Sequence, residues 1–178
     1  MGDTDFNPIQ VSIGQFYGIE INDFAVTVAK TALWIAESQM MKETEDIVHM
    51  NLDFLPLKSY ANIVEGNALT MPWENVVSKH ELTYIMGNPP FVGYSLQSKL
   101  QKDDLLSIYV DENGKPYKTA GKIDYVSGWY FKASAFMLGT NIRAAFVSTN
   151  SITQGEQVAG VWGPILNRLG IHIDFAHR

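Results

Sequence analysis

The sequence predicts an α/β fold built around a parallel sheet. Apolar runs of strand length alternate along the chain with amphipathic runs of helical length, an order typical of parallel strands joined by helices. The 178 residues are enough for one domain with a hydrophobic core, and residues 1–178 are interpreted as a single domain. No apolar run is long enough to cross a membrane and no signal peptide opens the chain, so no membrane contact is expected.

Five apolar segments are predicted to be strands because they are short, rich in β-branched or aromatic residues, and bounded by turn residues. In chain order they are residues 15–21, 62–66, 82–88, 142–149 and 171–177. The third contains the run "LTYIM", which is typical of a buried strand.

Three helices are predicted between these strands. Asn22 or Asp23 can cap the first, residues 24–40, because its side-chain oxygen can accept a hydrogen bond from a backbone N–H of the first turn. Asp124 is interpreted as the cap of the second, and Pro164 should interrupt or restart the third. The second and third helices are predicted at residues 125–139 and 155–170. Apolar residues and one threonine fall near one face of the first helix: Phe24, Val28, Thr31, Ala32 and Ile35.

The segment 92–122 is polar, contains the turn "DENGKP", and is long for a connection. It is predicted to be a loop excursion on the surface. The absence of cysteine excludes disulfides and thiolate metal sites, and the four histidines have no metal-ligand spacing, so no metal is predicted. The net charge of −6 argues against this chain binding nucleic acid by itself. It permits a catalytic segment of a longer protein in which other parts bind the nucleic acid.

Hydrogen-bonding side chains occur where three predicted strands end. Ligands of open parallel sheets bind beyond the carboxyl ends of the strands. Glu20, at the first such end, could accept both hydroxyls of a ribose, and Asn67 could recognise an adenine edge. The alternatives are a solvated strand end for Glu20 and a plain turn residue for Asn67.

The strongest motif is Asn-Pro-Pro-Phe at residues 88–91, directly after a predicted strand. Two prolines fix the backbone of the turn, so nearby carbonyl groups point in set directions. The Asn88 side-chain oxygen and the Pro89 carbonyl can then converge on one amino group, and Phe91 offers a flat face to a planar base. The alternative is a rigid structural turn with Phe91 in the core.

These motifs resemble those of DNA methyltransferases that act on amino groups and use S-adenosylmethionine. "NPPF" resembles their catalytic motif, "FYGIEIN" their ribose-binding acidic motif, and "IVEGNAL" the motif that contacts the cofactor adenine. "STNSITQGEQV" and "IDFAHR" are similar to the stretches that follow in the MmeI-like, type IIG restriction-modification proteins. The resemblance covers essentially the whole chain and implies a Rossmann-like class I methyltransferase fold.

The resemblance also implies which residues bind what. Asn88, Pro89, Pro90 and Phe91 would hold an adenine flipped out of double-stranded DNA for methylation at N6. S-adenosylmethionine would be the cofactor, and Asn88 would also border its site. Its ribose would bind to Glu20 and Ile21, and its adenine to Asn67 and Ala68.

The chain departs from the family pattern in what it lacks. The first strand and the Gly-rich cofactor loop would fall at or before Met1, so the fold is expected to be partial and the chain an internal piece of a longer bacterial, cytoplasmic protein. The rest of that protein would supply the cofactor loop and a target recognition domain, with or without an endonuclease. Without the first strand, the sheet should show either a gap or a new pairing between residues 15–21 and 82–88. The piece alone is expected to bind cofactor weakly and to be inactive.

Three other functions fit the same motifs. Cytosine N4 presents the same amino-group geometry as adenine N6. Asn-Pro-Pro-aromatic motifs also occur in enzymes that methylate protein glutamine or RNA bases. A fold-alike that binds a nucleotide without catalysis is the third alternative, although it would have no use for a fixed pair of acceptors.

Overall fold

The structure is a computed structural model that describes residues 9–49, 52 and 61–177. The chain divides into two compact units, Met1–Ala68 (the first unit) and Leu69–Arg178 (the second unit). The single domain expected from the sequence stays a prediction. No helix in the described part of the chain is long and apolar enough to cross a membrane.

The first unit contains a pair of parallel strands joined by a long helix. Strand β1 (Tyr17–Glu20) lies beside β2 (Asn62–Glu65), and the register places Glu20 opposite Glu65. Helix α1 (Asp23–Val48) follows β1. Both predicted strands are therefore confirmed, in shorter form.

Helix α1 begins where the sequence predicts. Asn22 is its N-cap, and the Asn22 side-chain oxygen accepts a hydrogen bond of 2.8 Å from the Ala25 amide. The helix continues beyond the predicted end at residue 40. None of its described residues is buried, and Phe24, on the predicted apolar face, is 75% exposed. The described residues of this helix are therefore at most partly buried.

The second unit repeats the parallel arrangement. Strand β3 (Tyr84–Gly87) pairs with β4 (Arg143–Phe146), with Gly87 opposite Phe146. Both strands were predicted, but the interpretation of "LTYIM" as a buried strand is wrong, because Tyr84 and Met86 are largely exposed. Each described strand has one partner, β1 with β2 and β3 with β4. The sequence predicted either a gap or a new pairing between residues 15–21 and 82–88, and the new pairing is not formed among the described residues.

The core of the second unit is aromatic and aliphatic. Tyr109, which is fully buried, packs against Phe131 with ring centroids 4.2 Å apart. Its hydroxyl donates to the carbonyls of Gly160 and Val161 at 2.8 and 3.0 Å. Burial raises the pKa of the Tyr109 phenol above its usual value, and electrostatic interaction with Tyr117 adds a smaller increase in the same direction. Other buried members of the core are Leu69, Leu105, Ala120, Ile123, Tyr125 and Ile165.

The segment 92–122 lies mostly at the surface, as predicted, but the prediction that it is a loop throughout is wrong. Helix α2 (Lys99–Ile108) lies within this segment, and Ser98 caps it by accepting a hydrogen bond from the Gln101 amide. Gln101 in turn accepts from the Ser98 amide, which completes a capping box. Leu105 of this helix is fully buried in the core. The composition of the segment is polar because most of its residues face solvent while a few anchor it.

The second predicted helix is confirmed as α3 (Ser127–Met137). The third predicted helix and the last predicted strand differ from the structure. In place of the third helix, a short helix α4 (Gly155–Gln157) leads into a π-helix, Val158–Arg168. The π-helix runs through Pro164, so the interruption predicted at this residue does not occur. Residues 171–177 form no strand, so that prediction is wrong. The Ile171 amide bonds instead to the Ile165 carbonyl, and no described strand pairs with this segment.

Candidate active site

The Asn-Pro-Pro-Phe motif lies directly beyond the carboxyl end of β3. Asn88 is exposed, and its side chain makes no hydrogen bond or ion pair with any described residue. Pro89 is buried, whereas Pro90 is exposed. The turn is therefore anchored by one proline and presents the Asn88 amide outward, which leaves the amide oxygen available as an acceptor.

A cavity of about 290 Å³ lies beside this motif in the second unit. Phe91 forms part of its wall and is 46% exposed, so the alternative of a core Phe91 is wrong. The remaining lining residues are Val92, Gly93, Asp124, Val126, Thr149 and Ser151. Of the four motif residues, Phe91 alone borders the cavity.

The parallel pairing of β3 and β4 explains where the cavity forms. The carboxyl ends of parallel neighbours meet at one edge of the sheet. The Val147 amide donates to the Gly87 carbonyl at 3.1 Å, so the chain leaves both strands at the same level. The motif follows β3, and Thr149 and Ser151 follow β4. Segments far apart in sequence thus border one cavity.

Asp124 is the charged residue in the cavity wall, and it is only 8% exposed. One carboxylate oxygen accepts from the Tyr94 amide at 3.1 Å, and the other accepts from the Ser151 hydroxyl at 2.5 Å. The prediction that Asp124 caps the following helix is wrong, because the N-cap of α3 is Val126. The Asp124 side chain instead bonds to the loop that directly follows the Asn-Pro-Pro-Phe motif, here called the motif loop (residues 92–97).

The first unit positions the residues that the sequence assigns to cofactor binding. Glu20 ends β1, and its backbone carbonyl accepts from the Gly66 amide at 2.7 Å. The Glu20 carboxylate makes no hydrogen bond or ion pair with any described residue. Ile21 is exposed after the strand, and Asn67 and Ala68 follow β2 and are partly buried. Because β1 and β2 are parallel, Glu20 and Asn67 lie at the same edge of their sheet.

Three polar residues of the cavity wall were not predicted from the sequence: Asp124, Thr149 and Ser151. An indication was present, since the polar run "STNS" begins within the last residues of a predicted strand and extends beyond it. Adjacent parallel strands bring such residues to the end of the neighbouring strand. Which strands were adjacent could not be read from the sequence. No group of three or more metal-ligating side chains occurs among the described residues.

Known proteins share this architecture and much of this sequence. A solved structure of the type IIL restriction-modification enzyme MmeI in complex with DNA matches 91% of the chain with a TM-score of 0.82 and 44% identity. DNA methyltransferase A of Bacillus subtilis (strain 168) is 43% identical over 171 residues, which are 94% of the chain. The mixed α/β structure with small parallel sheets is thus similar to that of MmeI.

The chain spans about a fifth of the length of these relatives, 19% of DNA methyltransferase A and 21% of MmeI. The family model described as MmeI, DNA-methyltransferase domain, matches residues 3–178. A match over nearly the whole sequence, together with the two relatives, assigns the family: the chain belongs to the MmeI DNA-methyltransferase domains.

Proposed function

We propose that this chain is the catalytic part of a site-specific DNA methyltransferase that transfers a methyl group from S-adenosylmethionine to N6 of a flipped adenine. The fold is proposed to be Rossmann-like, and the parent a type IIG restriction-modification protein. The observation that carries the proposal is the outward-facing Asn88 amide beside the cavity bordered by Phe91.

The amino group of adenine is a poor nucleophile because its lone pair is conjugated with the ring. The Asn88 oxygen and the Pro89 carbonyl can accept its two hydrogens and thereby direct the lone pair out of the ring plane. Both acceptors follow β3 in a turn that two prolines stiffen, so little reorganisation is needed. After the nitrogen gains its new bond, the surplus proton can leave to water from the side of the Asn88 oxygen.

The cavity suits a single planar base. Its volume of about 290 Å³ is at the small end of ligand pockets, which begin at roughly 300 Å³. Phe91 supplies a ring face for stacking, and Val92 and Val126 add apolar wall. The hydroxyls of Thr149 and Ser151 add polar groups at the rim. An extracted base would exchange stacking in the duplex for stacking on Phe91.

The residues of the first unit fit the cofactor by their chemistry. The Glu20 carboxylate lacks an internal partner among the described residues and can accept both ribose hydroxyls. Asn67 and Ala68 lie at the same edge and would contact the adenine ring, with Ile21 packing beside the ribose. When bound, S-adenosylmethionine would supply an electrophilic methyl group on a positively charged sulfur, which would keep the electron pair of the broken carbon–sulfur bond and become a neutral thioether. The chain supplies orientation and exclusion of water.

Double-stranded DNA is the proposed partner, bound through the longer protein in the bacterial cytoplasm. The net charge of −6 gives this chain little general attraction for phosphates, so sequence recognition is assigned to other parts of the parent protein.

The proposal is tested in the full-length gene product that contains this chain. The gene is expressed in a methylation-deficient host, genomic DNA is digested to nucleosides, and methylated bases are quantified by mass spectrometry. N6-methyladenine is expected from the parent and from Asn113→Ala, a matched change at an exposed turn residue. It should disappear with Asn88→Ala.

The other outcomes separate the alternatives. N4-methylcytosine would keep the acceptor mechanism and change the target base. Intact methylation in Asn88→Ala would refute the assigned catalytic motif. No methylated DNA base from a folded parent that binds cofactor would overturn the DNA proposal in favour of a protein or RNA substrate.

A further inference from the structure

We infer that Asp124 is a positioning residue for the Asn-Pro-Pro-Phe motif, and that its buried carboxylate fixes the motif loop to the segment after β4. The inference rests on the proposed methyltransferase function of the same site. Asp124 would not touch the reacting atoms. It would set the backbone that follows Phe91, and so the shape of the cavity.

Three hydrogen bonds connect the loop after the motif to residues 123–125. The Tyr125 amide donates to the Val92 carbonyl at 2.9 Å, directly after Phe91. The Tyr94 amide donates to the Asp124 carboxylate at 3.1 Å. The Gln97 side chain donates to the Ile123 carbonyl at 2.8 Å. The middle bond depends on a charged side chain, the last depends on the neutral amide of Gln97, and the first joins backbone atoms only.

The second carboxylate oxygen connects the loop to the other strand. Ser151 donates to it, and the Ser151 oxygen lies 2.6 Å from the Thr149 hydroxyl oxygen. Asp124 therefore joins a residue after β3 to a residue after β4 across the cavity wall. Because both oxygens accept hydrogen bonds, much of the cost of burying the carboxylate is offset.

The backbone of Asp124 is itself held from behind. The Asp124 backbone amide donates to the Gln157 side-chain oxygen at 3.0 Å. The Gln157 side-chain nitrogen donates to the Lys122 carbonyl at 2.9 Å. Gln157 is buried at the start of the π-helix. The Asp124 backbone amide and both carboxylate oxygens thus take part in hydrogen bonds, which restrict the position of this residue beside the motif loop.

The substitutions Asp124→Ala and Asp124→Asn separate positioning from charge. Alanine removes both acceptors. Asparagine keeps the shape, because its oxygen can accept from the Tyr94 amide while its nitrogen donates to the Ser151 hydroxyl. Ser151→Ala removes the hydrogen bond between the Ser151 hydroxyl and the second Asp124 carboxylate oxygen. Thr153→Ala is the matched control, since the exposed Thr153 hydroxyl bonds only within its own turn, to Asn150.

Steady-state methylation by the full-length protein is measured with each variant. Asp124→Ala should lower kcat by about 10- to 100-fold with the cofactor KM unchanged, the usual effect of a small misplacement. Asp124→Asn should recover most of the loss, Ser151→Ala should fall between, and Thr153→Ala should match the parent. An Asp124→Asn as impaired as Asp124→Ala would overturn the inference, because charge rather than hydrogen bonding would then matter.

Amide hydrogen exchange gives a second readout that is independent of activity. Exchange of the Tyr94 amide should accelerate in Asp124→Ala and Ser151→Ala, and stay slow in Asp124→Asn and Thr153→Ala. If Asp124→Ala does not fold, the kcat and the Tyr94 amide exchange of Ser151→Ala test the positioning role instead. Wild-type kcat and slow Tyr94 exchange in the alanine variants, with Asn88→Ala inactive, would overturn the positioning role alone. A parent without DNA methylation would instead refute the proposed function.

Discussion

The two compact units form parallel strand pairs in the same way but differ in what they bury. Helix α1 of the first unit has no buried residue among those described, whereas α3 of the second unit buries Phe131, Ala133, Phe136 and Met137. The first unit carries the candidate cofactor residues and the second carries the candidate catalytic motif. The described helix of the first unit thus lacks fully buried residues, while the cavity of the second unit occurs where a core holds its walls.

The largest expected difference between the units comes from deleting an aromatic ring. Phe131→Ala in the second unit should lower the free energy of unfolding by about 3–5 kcal/mol, because Phe131 packs against Tyr109 in the core. Phe24→Ala in the first unit should change it by less than about 0.5 kcal/mol, since Phe24 is exposed. Chemical denaturation measures both. Similar losses for the two variants would remove the distinction.

An added side chain should test how tightly the second core is packed. A Cβ atom at Gly128 would lie 2.9 Å from Leu105 Cδ2 and 3.0 Å from Leu69 Cδ2, and both leucines are fully buried. Gly128→Val should therefore cost about 1–3 kcal/mol of unfolding free energy. Gly121→Val, where nothing lies within 4 Å, serves as the matched control. A neutral Gly128→Val would mean that this core is loosely packed.

The local origin of α1 is tested at its cap. Asn22→Ala should reduce the stability of this helix by about 1 kcal/mol, because the Ala25 amide loses its acceptor. Thr27→Ala is the control, since the exposed Thr27 hydroxyl only bonds back to the Asp23 carbonyl. Amide exchange within residues 23–48 measures the effect. Unchanged exchange in Asn22→Ala would show that packing, not capping, sustains the helix.

The smallest expected effect is a pH dependence of the second unit. Burial lowers the pKa of Lys132 to about 8, and the charge of Glu74 partly opposes this shift. Lys132 donates to the carbonyls of Leu69 and Met71 and lies 5.5 Å from the Trp73 ring centroid.

The sign follows from proton binding. Between the folded pKa of about 8 and the unfolded value of 10.5, the unfolded chain binds more protons, so the free energy of unfolding should rise with pH. Below pH 8 the contribution of Lys132 should be constant. Unfolding titrations of the parent and Lys132→Met isolate it by difference. A difference that falls across this window would contradict the assigned direction.

Signals that act within a few residues were predicted well. The Asn22 cap, the positions of the four short strands and the placement of Asn88 to Phe91 after β3 all follow from neighbouring residues. The segment 171–177 was predicted wrongly because its apolar alternation needs a partner strand, which no sequence period reveals. The helix within residues 92–122 was not predicted, because the polar composition of the segment concealed the buried anchor Leu105.

The family, the capped helix and a proline-stiffened turn that offers an amide oxygen can be read from the order of the amino acids. Tertiary contacts were needed to show that the Asp124 carboxylate bonds to Tyr94 and Ser151 instead of capping a helix, and that residues after β4 border the same cavity as Phe91. The reason is sequence separation. The hydrogen bonds of the Asp124 carboxylate join residues 30 and 27 positions apart, and such contacts exist only after the strands have paired.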